Sequence, residues 1–182
     1  ATPEHDYLKR MTKLGLLDCT NNHLREVHPF GKEISLVNVY YDYNQIERLY
    51  PAEDGYYCGL GQIETFSVRN NRLTTLPDIF TARSVYIMGS INFSNNNISS
   101  LENGDAWRGI NAETLNLSNN RFEKLPKAIF NSGSSISVLM MGGNGMRLIE
   151  EGALRGSRVA NLSTLDLSYN RLCELPDADF GK

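Results

Sequence analysis

Two stretches of the chain, LNLSNNRFEKLP at 115–126 and LDLSYNRLCELP at 165–176, share the pattern LxLSxNRxxxLP. Five further phrases fit the same frame, each with an asparagine in the same place. The seven asparagines are Asn22, Asn44, Asn71, Asn96, Asn120, Asn144 and Asn170. Their spacings of 22, 27, 25, 24, 24 and 26 residues fall in the range of solenoid repeats, in which stacked copies bury a common core.

Five positions of each copy are apolar throughout: −8, −5, −3, +2 and +5, counted from the asparagine. In the fourth copy, position −8 is Met88. Positions −5 and −3 are two residues apart, so they share one face of a short strand. Because one copy cannot bury that face alone, the copies are expected to stack into a parallel sheet of six or seven strands. The predicted strand centres are Leu17, Val39, Phe66, Ile91, Leu115, Leu139 and Leu165.

The recurring asparagine ends each predicted strand. Its amide both donates and accepts hydrogen bonds, so it can satisfy backbone groups where the chain turns inward. This explains a polar residue among core positions, and we interpret the seven asparagines as a structural ladder.

The frame LxxLxLxxNxLxxL resembles the leucine-rich-repeat superfamily over residues 14–180. The resemblance implies an α/β fold: a right-handed solenoid with a parallel β-sheet on its concave face and mostly 3₁₀ turns and loops on its convex side. The stretches LPDIF (76–80), LPKAIF (125–130) and LPDADF (175–180) are similar to family segments on the convex side, where the phenylalanine packs inward. Trp107 and Leu154 occupy the corresponding places. The phrase LDC (17–19) is similar to repeats of Bacteroides-type surface proteins.

The chain divides into a cap and one solenoid. Residues 1–13 are predicted to form a short N-terminal capping helix, beginning at Thr2-Pro3-Glu4. Residues 14–182 carry seven repeats, which we expect to be part of a longer protein. The Gly/Tyr-rich stretch at 49–62 is predicted to be a loop. The last repeat leaves apolar residues uncovered, so we expect either further repeats or association through the edge strand at 164–168.

Composition excludes several classes of function. The net charge is −3, and no Lys/Arg run exceeds two residues, which argues against a nucleic-acid partner. The longest apolar runs are far too short for insertion into a membrane. The odd cysteine count suggests small buried or half-buried hydrophobes: Cys19, Cys58 and Cys173. The histidines are interpreted as solvated residues without metal-ligand spacing: His5, His23 and His28.

Nothing in the chain has the pattern of an active site. Phosphate-binding, metalloprotease and nucleophile-elbow motifs are absent from the sequence. Asp18, Asp42 and Asp166 are expected on the concave side, but the second and seventh strands would lie roughly 24 Å apart. The glycine-rich GGNG (142–145) occupies the asparagine turn. We therefore expect no enzyme, no metal and no cofactor.

The concave face is the family's usual binding surface. Its candidate partner-binding residues are Tyr40, Asp42, Tyr43, Arg69, Asn92, Asn116, Asp166 and Tyr169. Tyrosine beside aspartate suits a hot spot, and we expect Tyr40, Asp42, Tyr43 and Arg69 to face solvent. Four N-x-S sequons, at Asn92, Asn97, Asn116 and Asn161, are interpreted as by-products of the repeat in a bacterial protein.

Two hypotheses of function remain open. The first is a protein- or peptide-binding module of a larger bacterial secreted or surface protein, located outside the cell, at its surface or in the periplasm. The second is a carbohydrate-binding adhesin segment or a passive spacer. The serine- and asparagine-rich centre of the face also fits a surface that is merely solvated.

Overall fold

The computed structural model describes residues 11–29, 35–50, 63–76, 87–101, 111–125, 135–154 and 161–176. The statements below concern these ranges.

Seven parallel strands form one sheet, with each strand beside the one from the next repeat. The strands are β1 (Leu16–Asp18), β3 (Asn38–Tyr40), β5 (Ile63–Ser67), β7 (Ile87–Asn92), β9 (Asn111–Asn116), β11 (Ser135–Met140) and β13 (Thr164–Asp166). The predicted strand centres pair in register from Leu17↔Val39 through to Leu139↔Leu165. The prediction of a parallel-strand solenoid is therefore confirmed.

A second set of two-residue strands follows the first six ladder asparagines, and the sequence analysis did not predict it. The strands are β2 (Glu26–Val27), β4 (Arg48–Leu49), β6 (Thr75–Leu76), β8 (Ser100–Leu101), β10 (Lys124–Leu125) and β12 (Leu148–Ile149). They form three separate parallel pairs, β2–β4, β6–β8 and β10–β12. The apolar residues at +5 of neighbouring repeats pack on one another, which brings their backbones within hydrogen-bonding distance. The short strands therefore form as a consequence of core packing at this position.

The core runs continuously along the solenoid between the two rows of strands. In the middle repeats the described core residues are fully buried, as Phe66, Phe93 and Phe122 illustrate. Most core residues of the first and last repeats are only partly buried, including Leu17 and Leu165, because each of these repeats has one neighbouring repeat instead of two. The outermost core position of the last repeat, Leu175, is 51% exposed.

The pairing of the strands departs from the predicted register at one position. Ile87, one residue before Met88, pairs with Ile63, and a bulge follows before the strands return to register. Gly89 lies in this bulge against the backbone of Glu64, where a Cβ atom would be only 2.0 Å from the carbonyl oxygen. The close approach requires glycine and shifts the strand by one residue.

Six of the seven ladder asparagines tie their own turns to the preceding repeat. The Nδ2 group of Asn71 donates to the carbonyl oxygens of Val68 at 3.2 Å and Tyr41 at 2.9 Å. Its Oδ1 accepts the backbone N–H of Ile46 at 2.8 Å. Asn44, Asn96, Asn120, Asn144 and Asn170 repeat this arrangement. Asn22, in the first repeat, bonds only within its own turn.

Several predictions fall outside the described residues. They concern the cap at residues 1–10, the loop at 51–62, the convex side around Phe80, Trp107, Phe130 and Phe180, and residues His5 and Cys58. At the described end of the cap, Met11–Leu14 is a turn closed by a backbone bond of 3.0 Å. Leu154 is buried. Within the described ranges, no helix has the length and apolarity needed to cross a membrane.

Candidate functional site

The residue before each ladder asparagine has a left-handed backbone in all seven repeats. These residues are Asn21, Tyr43, Asn70, Asn95, Asn119, Gly143 and Tyr169, with φ between 52° and 71°. Asparagine and glycine tolerate this region, whereas bulky residues seldom adopt it. The SNN phrase carries this signal, which the sequence analysis missed. Tyr43 and Tyr169 therefore occupy backbone positions that disfavour them.

Asparagine or aspartate at −4 supports the turn that follows the strand. The Oδ1 atoms of Asn92 and Asn116 accept the backbone N–H groups of Ser94 and Ser118, each at 3.0 Å. In the last repeat, Asp166 makes the same bond to the residue two positions later at 2.9 Å. In Asn92, Asn116 and Asp166, one side-chain oxygen is thus bonded within the protein. Asn92 and Asn116 keep their side-chain amide nitrogens for a partner.

The end of the sheet nearest β1 carries the predicted cluster of tyrosine, aspartate and arginine. Tyr40 ends β3 and is half-buried, and Tyr43 is 46% exposed. Arg69, from the next repeat, is also exposed. The structure thus brings Tyr43 and Arg69 together on the concave side, five strands from Tyr169, which is 92% exposed.

Asp42 does not face solvent, contrary to expectation. It is only 6% exposed. Its Oδ1 accepts bonds from the Ser67 hydroxyl at 2.5 Å and the Arg69 backbone N–H at 3.0 Å. Its Oδ2 accepts from Arg69 Nε at 2.8 Å. Because β3 and β5 pair in register, position −2 of one repeat can reach polar groups of the next. Asp42 is therefore an internal brace and not a contact residue.

This brace fixes an aromatic and a cationic side chain together. The Arg69 guanidinium lies over the Tyr43 ring, with its Cζ atom 5.2 Å from the ring centroid. Such a cation–π contact is worth about 0.5–1 kcal/mol at an exposed site. Asp42 thus fixes the position of the Arg69 side chain, and Arg69 in turn contacts the Tyr43 ring.

The middle of the concave face is uncharged in its described residues on β5, β7 and β9, except for Glu64 and Glu113 near the strand starts. Polar residues that line it include Thr65, Ser67, Ser90, Asn92, Thr114 and Asn116. No exposed large hydrophobic side chain lies among the described residues of these three strands. The central surface can exchange hydrogen bonds with a ligand but offers little apolar area.

A second polar surface lies beside the short strands of the first three repeats. An open cavity of about 630 Å³ is lined by Arg25, Glu26, Glu47, Arg48, Arg72 and Thr74. At its edge, the rings of His28 and Tyr50 stack with centroids 4.4 Å apart. The Tyr50 hydroxyl donates to Glu26 at 3.2 Å. His28 is therefore stacked on a ring and half-buried rather than fully solvated.

The cysteines differ from each other in environment. Cys19 is half-buried beside the core, and burial, with the nearby charge of Asp18 as a smaller cause, raises the pKa of its thiol. Cys173 is exposed, which corrects the expectation of a buried or half-buried thiol. It lies at +3, outside the repeating core positions.

Among the described residues, no three potential metal ligands lie close enough to hold an ion.

The parallel solenoid with its asparagine ladder defines a class, the leucine-rich-repeat proteins. The leucine-rich repeat family model matches residues 110–172. The human protein "Leucine-rich repeats and immunoglobulin-like domains protein 1" is 33% identical over 137 residues, which are 74% of this chain and 12% of that protein. Human "Oligodendrocyte-myelin glycoprotein" is 27% identical over 159 residues, covering 87% of this chain and 33% of that protein.

Two solved structures are also similar. A leucine-rich repeat protein from Bacteroides thetaiotaomicron has a TM-score of 0.77 and 36% identity, covering 92% of this chain and 21% of that one. Another, from Bacteroides eggerthii, has a TM-score of 0.79 and 33% identity, covering 95% of this chain and 30% of that one. The chain spans one third or less of each of these four relatives. It belongs to the leucine-rich-repeat superfamily, whose members are generally non-enzymatic binding modules.

Proposed function

We propose that this chain is the recognition module of a larger bacterial surface or secreted protein, and that it binds a protein or peptide on its concave face. The proposed contact surface is centred on Tyr40, Tyr43 and Arg69. The observation that carries the proposal is the Tyr43–Arg69 pair, exposed on its outer side and held by Asp42 on its inner side. Tyrosine and arginine are enriched in interface hot spots, and immobilised side chains lose less entropy on binding.

The proposed location is outside the cell, at its surface or in the periplasm. Its support is the likeness to Bacteroides leucine-rich repeat proteins and to a curated relative whose name includes "glycoprotein". The proposal includes no catalytic step, because the family generally supplies binding surfaces and the proposed surface offers recognition groups alone.

A carbohydrate is the second candidate ligand. It is favoured by the polar middle of the concave face, where Asn92 and Asn116 lie in register on adjacent strands with their amide nitrogens available. Hydroxyl and amide groups suit sugar hydroxyls, and Tyr43 and Tyr169 could stack on sugar rings.

A double variant, Tyr40→Ala/Tyr43→Ala, tests the proposal while leaving Arg69 to pair with Asp42. We expect wild-type protein, immobilised and exposed to proteins released from the native culture, to retain a partner that the double variant loses. Arg121→Ala, an exposed change after a different ladder asparagine, is the matched control and should retain the partner. Equal capture by the double variant would reject this surface. A glycan array, probed in parallel, would favour the second candidate if a defined sugar binds and Asn92→Ala/Asn116→Ala abolishes binding.

A further inference from the structure

Tyr43 departs from most of its row in a way that costs stability. Its φ is 55°, and the same position in five other repeats is asparagine or glycine. A bulky non-glycine residue held in a sparsely populated backbone region is strained, and it persists where the surroundings over-determine it. Such residues cluster at functional sites, so the outlier itself needs an explanation.

The core does not supply that explanation. The side chain of Tyr43 points outward and the residue is 46% exposed, so it contributes no buried area comparable with that of Tyr41 or Phe66. Its recorded ring contact is with Arg69. The phrase YDYN (41–44) replaces the usual small polar residues with a tyrosine at −1 and the bracing aspartate at −2.

The guanidinium of Arg69 has N–H donors that Asp42 does not use. A guanidinium carries five N–H groups. Asp42 takes the Nε–H, and among the described residues neither Nη atom of Arg69 has a hydrogen-bond partner. The exposed edge of the guanidinium therefore presents Nη–H groups beside an aromatic ring. This fork matches a carboxylate, with which arginine forms paired, charge-assisted bonds.

We infer that Tyr43 and Arg69, positioned by Asp42, form a preorganised receptor for an acidic segment of a protein partner. This inference rests on the proposed function and adds the chemistry of the partner. A carboxylate of the partner accepts from the Arg69 Nη atoms, and a neighbouring apolar or planar group packs on Tyr43. The unfavourable backbone of Tyr43 is retained because the ring is needed for binding.

The stability of variants separates a recognition role from a structural one. Tyr43→Asn restores the residue common at this position, so the melting temperature should stay unchanged or rise, the loss of the cation–π contact offsetting part of the gain. Tyr169→Asn is the matched control, since Tyr169 has the same backbone and no described ring contact. Its melting temperature should rise by about 2–4 °C as the backbone strain is relieved. A clear fall for Tyr43→Asn would show a structural residue and overturn the inference.

Binding is tested with a phage-displayed library of short random peptides selected on the wild-type protein. The enriched peptides should carry aspartate or glutamate. Their affinity should fall about tenfold or more in Arg69→Gln, which loses a charge-assisted hydrogen bond, and in Tyr43→Asn, which loses the aromatic packing surface. Raised salt should weaken the same peptides. Asn95→Ala, on the same row, should bind them normally.

Three results would overturn the inference: no enriched peptide, enriched peptides without acidic residues, or equal binding by Tyr43→Asn. If Tyr40→Ala/Tyr43→Ala still loses a native partner while the selected peptides lack acidic residues, the proposed function stands and the acidic-partner inference alone fails.

Discussion

Asp42 and Arg69 lie in neighbouring repeats, 27 residues apart, and their side chains are joined by a 2.8 Å bond between Oδ2 and Nε. Position −2 is otherwise occupied by small side chains in this chain, so an ion pair between two −2 residues of neighbouring repeats is specific to this place. Asp42, at one end of the contact, is buried, and Arg69, at the other end, is exposed. The contact therefore links the stability of the second and third repeats to the shape of the proposed receptor.

Removing the buried end of this pair should destabilise the protein. Asp42→Ala leaves the Ser67 hydroxyl and two donors of Arg69 without their acceptor, at a cost of about 1–3 kcal/mol. Asp42→Asn keeps one oxygen acceptor and should cost less. Arg121→Ala, an exposed change in another repeat, should change stability by about 0.5 kcal/mol or less. Urea denaturation measures all three, and a wild-type midpoint for Asp42→Ala would contradict the bracing role.

The asparagine ladder should matter most where it is buried. Asn96→Ala removes bonds to the carbonyl oxygens of Val68 and Phe93 and to the N–H of Leu73, all in the interior. We expect a loss of roughly 3 kcal/mol or more, because buried backbone groups are left unsatisfied. Asn22→Ala is the matched control, as Asn22 is exposed and bonds only within its own turn. Similar losses in the two variants would show that inter-repeat bonding is not the cause.

Acid should weaken the two end repeats through Asp18 and Asp166. The hydroxyl and then the backbone N–H of Thr20 lower the pKa of Asp18 below 3.8, and those of Ser168 lower the pKa of Asp166. A lowered folded-state pKa means that the unfolded chain binds more protons. The stabilisation is present above about pH 4 and is lost as the pH falls through the folded-state values. Denaturation at several pH values should show a smaller acid loss in Asp166→Asn; an unchanged loss would exclude this carboxylate as a contributor.

The described cysteines should differ in reactivity. The pKa of Cys19 is raised by burial, so little of it is thiolate at neutral pH, and the thiol is also partly covered. Cys173 is exposed and should react faster with an alkylating reagent. Mass spectrometry of peptides after brief labelling at pH 8 measures both rates, and denatured protein gives the reference. Faster labelling of Cys19 in the native state would contradict the packing of the first repeat.

The apolar layer of the last repeat should promote self-association. Leu175 is 51% exposed, and β13 pairs only with β11 among the described strands. We expect a protein of these 182 residues to form a pair through this edge, with a second copy covering the layer. Light scattering over a dilution series should show a mass that falls toward one chain, and Leu175→Lys should favour the monomer. A concentration-independent monomer in the wild type would refute the association.

Repeat spacing and the recurring apolar positions determined the architecture in advance. Strand centres could be placed from Leu17 to Leu165 because a residue at a core position has the same neighbours in every copy. The ladder followed from the same logic, since one side-chain amide offers two N–H donors and an acceptor oxygen to the backbone groups of a turn. The strand centres and the ladder asparagines are local features that recur in all seven repeats, so each can be identified from its repetition in the sequence.

What the sequence left undecided depends on contacts between particular copies. The bulge at Gly89 arises from one close approach to Glu64, and the burial of Asp42 arises from its reach into the following repeat. Both occur once and have no periodic signal. The pairing of Tyr43 with Arg69 likewise depends on strand register and side-chain direction. Sequence periodicity determined the solenoid, whereas only the tertiary structure decided which concave side chains brace the sheet and which remain open to a partner, because that choice lies in distances across repeats.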